Sequence, residues 1–127
     1  MELRGHHLIC LNFLAEAFGP EFTELLRDVR ERALAGEEIR IIEGPDELCR
    51  ACPLFKAGRC EYEEDVAEMD EDALEMLGLK VGDVVRMEQV RAVLRQRAEE
   101  LREFCEGCEF LEACRPQIDA FLAASEA

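Results

Sequence analysis

The sequence predicts a mainly α protein: one small helical domain spanning residues 1–127, with a minor pair of short strands and two cysteine-rich loops. Apolar residues recur at spacings of three and four, most clearly in Phe22, Leu25, Leu26, Val29 and Ala33, which is the stripe of an amphipathic helix. β-branched residues collect only in short runs at Ile39–Ile42 and Val84–Val85. The cysteines fall into two triplets, each a C-x2-C pair followed by a third thiol. A chain of 127 residues can build one modest core and is too short for two independent ones.

In chain order, Glu2–Arg4 is short and extended, and Gly5 permits a sharp change of direction before an apolar helix over residues 8–18. His6, His7 and Cys10 stand at its start. Residues three or four apart share a helical face, so Cys10 aligns with His6 or His7 where the helix begins early. Gly19 stops this helix and Pro20 opens the next, over residues 20–35. The strand Ile39–Ile42 follows and is broken by Gly44, Pro45 and Asp46. Pairing Glu2–Arg4 with it would satisfy backbone groups that are otherwise buried and unpaired.

Like charges in the acidic run over residues 61–72 argue against a long helix there. That leaves a short helix over 73–77, capped by Asp70 or Asp72 and ended by Gly78. Val84 and Val85 offer a second short strand. From Met87, the positions Val90, Leu94, Ala98 and Leu101 predict one long helix that delivers Cys105 and Cys108 on its core-facing side at the last turn. Cys114 then falls in the turn beyond, and Pro116 starts a final helix with Ile118, Phe121 and Leu122 inward.

The thiols carry the chemistry. Cys49 and Cys52 let one tight turn aim two sulfurs at a single ion or cluster, with Cys60 returning after seven residues; Cys105, Cys108 and Cys114 repeat the pattern. One C-x2-C is common, whereas two, each with a third cysteine, are a specific metal-thiolate signal. An odd count of seven cysteines is a poor disulfide framework. Either each triplet forms its own site with a fourth ligand from Cys10, His6 or His7, or the two C-x2-C pairs converge on one four-thiolate site. Zinc and iron–sulfur clusters both use thiolates, so the residues leave the metal open between them; were it an iron–sulfur cluster, [4Fe–4S] is expected ahead of [2Fe–2S]. Apolar neighbours of the thiols, Leu48, Leu54, Phe55, Phe104, Phe110 and Leu111, would shield a cluster and would equally form ordinary core around zinc.

Thirty acidic against fifteen basic residues give a net charge of −15, which disfavours nucleic acid and anionic membranes and allows a protein partner with a basic surface. No apolar run approaches the roughly 20 residues needed to span a bilayer, and the N-terminus lacks the pattern of a signal peptide. The expectation is a cytoplasmic protein. No catalytic constellation convinces: a Cys10–His pair along one helix face is poor geometry for proton transfer and lacks a third orienting group. Thioredoxin-type exchange needs a βαβ context missing here. If the strand pair forms, His6 or His7 should approach the Cys49 group. The competing expectation is that both rings only hydrogen-bond nearby carboxylates such as Asp46 or Glu47.

L-R-G-H-H-L-I-C at the start, E-G-P-D-E-L-C-R-A-C-P in the middle, L-G-L-K-V-G-D further on and F-C-E-G-C-E-F near the end resemble a family of short bacterial and archaeal proteins of unknown function. That family is suspected of binding iron–sulfur clusters. The resemblance implies that His6, His7, Cys10, Cys49, Cys52, Cys60, Cys105, Cys108 and Cys114 are its characteristic positions, and it favours iron–sulfur over zinc. It supplies no activity. On this basis the leading reading is a redox protein that carries an electron or senses redox state. The rivals are a zinc-stabilised interaction module and an enzyme with an open iron beside His6 or His7.

Overall fold

The two short extended segments pair. In the computed structural model, which describes residues 1–15, 18–52, 55–56, 59–60, 63–106 and 111–124, β1 (Glu2–Arg4) runs parallel to β2 (Ile39–Ile42), with Leu3 opposite Ile41. β5 (Val84–Val85) joins antiparallel on the other side of β2, so the expected strand pair is a three-stranded sheet in the order β1-β2-β5. Alternation places Ile39 and Ile41 in the core and turns Arg40 outward. The outer edge of β1 is closed by side chains: Glu47 accepts from the Glu2 amide at 2.8 Å and Asp46 from the Arg4 amide at 2.8 Å. A small hairpin of β3 (Phe55–Lys56) and β4 (Arg59–Cys60) was not anticipated.

Six α-helices among the described residues make the protein mainly α. α1 (Gly5–Cys10) begins directly after β1 and is shorter than the apolar run suggests. Beyond Cys10 the chain turns. The Asn12 side-chain Nδ2 donates to the Leu8 carbonyl at 2.9 Å and Arg30 donates to those of Leu11 and Leu14, taking over acceptors that further helix would have used. Gly5 serves a different purpose from a sharp turn, because a Cβ there would lie 2.6 Å from the Asp70 carbonyl oxygen. Glycine lets the start of α1 touch the backbone of the neighbouring helix.

α2 (Pro20–Leu34) keeps the expected bounds, with Pro20 in its first turn and Phe22, Leu26, Val29 and Ala33 buried. α3 (Glu63–Leu77) corrects the sequence reading: the acidic run is helical through its described part. Glu63, Glu64 and Asp65 fall in the first turn, where the helix dipole favours negative charge. Arg4 neutralises both Glu63 and Asp70, so Asp70 is a buried residue within the helix rather than its cap.

The long helix expected after Met87 is two helices, α4 (Met87–Gln96) and α5 (Ala98–Glu106). They break at Arg97, whose φ of −118° and ψ of 48° leave helical geometry and whose guanidinium is tied to the Met76 carbonyl at 2.8 Å. α6 (Leu111–Ala124) starts earlier than expected and encloses both Cys114 and Pro116. Ile118, Phe121 and Leu122 face inward as predicted. The described cysteines therefore do not sit in two loops: Cys49 is in a 3-10 helix (Glu47–Ala51), Cys60 in β4, Cys105 in α5 and Cys114 in α6.

Candidate functional site

α1 stands between two chemically opposite environments. Its first residues, His6 and His7, enter a buried polar network; its last, Cys10, enters an apolar cavity.

The polar network is built on two carboxylates. Oδ2 of Asp46 accepts from the Arg4 amide at 2.8 Å and lies 2.6 Å from His7 Nδ1, while its Oδ1 accepts from the Leu48 amide at 3.0 Å and caps the 3-10 helix that carries Cys49. Oδ1 of Asp70 accepts from the His6 amide at 2.9 Å and lies 2.6 Å from His6 Nδ1, while its Oδ2 accepts from Arg4 Nε at 2.7 Å. The Arg4 fork closes on Glu63. Arg4 is 1% exposed, so this is a charged group almost wholly removed from water and tolerable only because it is paired.

Burial pushes His6 down to about 4, with the adjacent His7 adding to the effect, so its ring is neutral at pH 7. Burial works against ionising Asp70, but bonds from His6 and Arg4 hold it below the usual carboxylate range. Asp46 is likewise depressed, burial being outweighed by His7 and by the Arg4 amide. A neutral imidazole beside a carboxylate carries its proton on Nδ1, which leaves the Nε2 lone pair of His6 for a proton or a metal. The two rings lie 4.2 Å apart between centroids, and each retains a little solvent contact. The expected carboxylate contact thus occurs, to Asp46 and also to Asp70.

The first triplet lies beside this network. Cys49 Sγ is 3.5 Å from Asp46 Oδ1, and burial together with the Asp46 charge pushes the thiol up to about 12. A metal taken up at Cys49 must therefore displace a proton. Cys52 closes the 3-10 helix and is half-buried.

At the other end of α1, Cys10 meets Cys105 and Cys114 around a cavity of about 20 Å³ whose remaining walls are Phe13, Met69, Phe104 and Leu111. α5 turns Cys105 inward with Leu101, and α6 turns Cys114 inward with Ile118. The predicted ligands Cys108 and the flanking Phe110 lie outside the described residues. Among the described residues, no three His, Cys, Asp or Glu side chains stand close enough to hold one metal ion together. A larger surface groove of about 600 Å³, lined by Val84, Arg86, Glu88 and Gln89 among others, has neither thiol nor imidazole among its described lining residues.

Sequence reasoning missed Arg4, Glu63 and Asp70 as members of the network. Asp70 is 66 residues from Arg4, and the acidic run around it hid its role. Of the two carboxylates that orient the histidines, Asp46 beside His7 was anticipated and Asp70 beside His6 was not.

The chain belongs to the family described as protein of unknown function (DUF1284), whose family model matches residues 16–114. That span holds both thiol triplets and begins beyond His6, His7 and Cys10. Among the curated proteins and the solved structures, none matches. No helix among the described residues is long and apolar enough to cross a membrane.

Proposed function

We propose that the protein binds an iron–sulfur cluster through thiolates and uses it to carry an electron or to sense redox state. The observation that supports this is the meeting of Cys10 with Cys105 and Cys114 around one apolar cavity. Among the described residues the donors there are sulfur and the other walls are hydrocarbon, thioether and aromatic, a set that suits thiolate-binding metals better than magnesium or calcium. Cys108, close to Cys105 in the C-x2-C motif, is the natural fourth ligand. Two C-x2-C pairs, each with a third thiol, suit a cluster of several metals, [4Fe–4S] ahead of [2Fe–2S], with one tetrahedral zinc as the alternative. A bound cluster supplies one-electron chemistry; Phe13, Phe104, Met69 and Leu111 exclude water from it.

Cys49, Cys52 and Cys60 form a second site in this reading, with His7 or His6 as its nitrogen donor. Asp46 supports that assignment because it contacts both His7 and Cys49. The net charge of −15 suits a partner with a basic surface. The test is anaerobic purification followed by iron, acid-labile sulfide and zinc analysis with visible absorbance. Iron and sulfide in equal amounts with broad visible absorption are expected; a colourless protein with stoichiometric zinc refutes the redox reading and leaves a zinc-stabilised interaction module.

A further inference from the structure

Two half-buried arginines near the thiol cavity have no carboxylate partner among the described residues. Arg30 Nε donates to the Leu11 carbonyl at 2.7 Å, and another guanidinium nitrogen donates to that of Leu14. Arg91 donates to Asn12 Oδ1 at 3.0 Å and lies 4.7 Å over the ring of Phe121, which stacks edge-on against Phe13 of the cavity wall. Both cations thus grip the turn that follows Cys10. Although the chain has thirty acidic residues, among the described residues neither joins an ion pair. Arg4, by contrast, holds two carboxylates. Burial and the neighbouring Arg27 lower Arg30, and the group whose negative charge would favour it is Cys114. A cation taken out of water is costly unless an anion accompanies it.

We propose that Arg30, with Arg91 beside it, is the counter-charge of the thiolate site, offsetting the negative charge that Cys10, Cys105 and Cys114 carry once metal is bound. This rests on the metal-thiolate reading above and adds a cause for two cations that no carboxylate among the described residues balances. Thiolate ligands bring more negative charge than iron or zinc cancels, and one-electron reduction adds another unit, so a nearby guanidinium stabilises the reduced state and retains the metal.

The experiment compares Arg30→Gln, Arg30→Lys, Arg91→Gln and the distant control Arg86→Gln in the anaerobically purified full chain. Gln keeps an amide that can donate to the Leu11 and Leu14 carbonyls but loses the charge; Lys keeps the charge. In a spectroelectrochemical titration, Arg30→Gln should lower the potential by the equivalent of about tenfold in the redox equilibrium, about 59 mV for one electron, with Arg30→Lys and Arg86→Gln near wild type. If the bound metal is zinc, the same variants are read by transfer to a chelator, where Arg30→Gln should release it about tenfold faster. Arg91→Gln should shift either readout in the same direction and answers the question if Arg30→Gln does not fold. Equal shifts in Gln and Lys would mean that Arg30 only holds the turn, and no shift in any variant would mean that neither charge matters. Either result overturns the inference while leaving the metal reading intact. Wild-type protein without metal overturns both.

Discussion

The two thiol triplets look like copies in sequence and sit in opposite surroundings. Cys49 lies against the Asp46 carboxylate, two bonds away from the His7 ring and Arg4. Cys105 and Cys114 lie in an apolar wall with Cys10, where aromatic rings and Met69 replace carboxylates. A repeated motif therefore fixes which atoms are offered to a metal, while the packing around it fixes charge, water access and proton affinity. The first environment favours a protonated Cys49; the second surrounds its thiols with apolar side chains that carry no such charge.

The largest effect expected on this comparison comes from Arg4→Met. It strips the polar region of its cation and leaves the buried Asp70 and the half-buried Glu63 without it, at a cost of roughly 3–5 kcal/mol. Urea denaturation of the metal-free protein measures it. A loss below about 1 kcal/mol, the surface-pair range, would show that the network is less buried in solution than it is here.

Gly5→Ala should cost about 1–3 kcal/mol by forcing α1 away from α3, since the new methyl would meet the Asp70 carbonyl. It should also loosen His6 from Asp70, visible as a changed imidazole NMR shift, while the walls of the thiol cavity stay in place. Wild-type stability in this variant would contradict the close approach of the two helices.

Acid should weaken the polar region before the apolar one. His6 has a folded value of about 4 against an ordinary value near 6.5, so the unfolded chain binds more protons between those limits. Stability is then fully present above about pH 6.5 and falls as pH drops toward 4, with the depressed Asp46 and Asp70 adding losses below the usual carboxylate range. His6→Gln should flatten the upper part of that profile. An unchanged slope between pH 6.5 and 4 would mean that His6 is not held neutral.

The smallest of these effects separates the triplets directly. Because Cys49 is held protonated, metal uptake at the first triplet should release protons. Zinc calorimetry in two buffers of different ionisation enthalpy should therefore show a buffer-dependent heat that shrinks in Cys49→Ala. A heat indifferent to buffer would remove the proposed contrast.

Much of this was legible in the chain, and the reasons are local. Ile39–Ile42 and the α2 stripe follow from side-chain periodicity, and the pairing of Glu2–Arg4 with Ile39–Ile42 follows from backbone hydrogen-bond economy. What stayed hidden depends on partners far apart in sequence. The acidic run reads as self-repelling until Arg4 arrives from the N-terminus, and α3 forms because that cation and the apolar face of Ala73, Leu74 and Leu77 outweigh the repulsion. The break at Arg97 carries no proline or glycine and is fixed by a contact to Met76 that no periodicity reveals. The spacing of the cysteines suggests ligands without placing them in space, and the thiols that Cys10 meets around its cavity were not legible, because both triplets and both histidines were formally within its reach.

That partnership is the most direct point of attack. Cys10→Ser, compared with Cys52→Ser in anaerobically purified protein and read by visible absorbance and electron paramagnetic resonance of the reduced state, tests whether Cys10 serves the same site as Cys105 and Cys114. The account predicts that Cys10→Ser perturbs or removes the same signal that Cys114→Ser does, while Cys52→Ser leaves that signal in place. A Cys10→Ser protein with the wild-type signal, or one that loses only what Cys52→Ser loses, would contradict it.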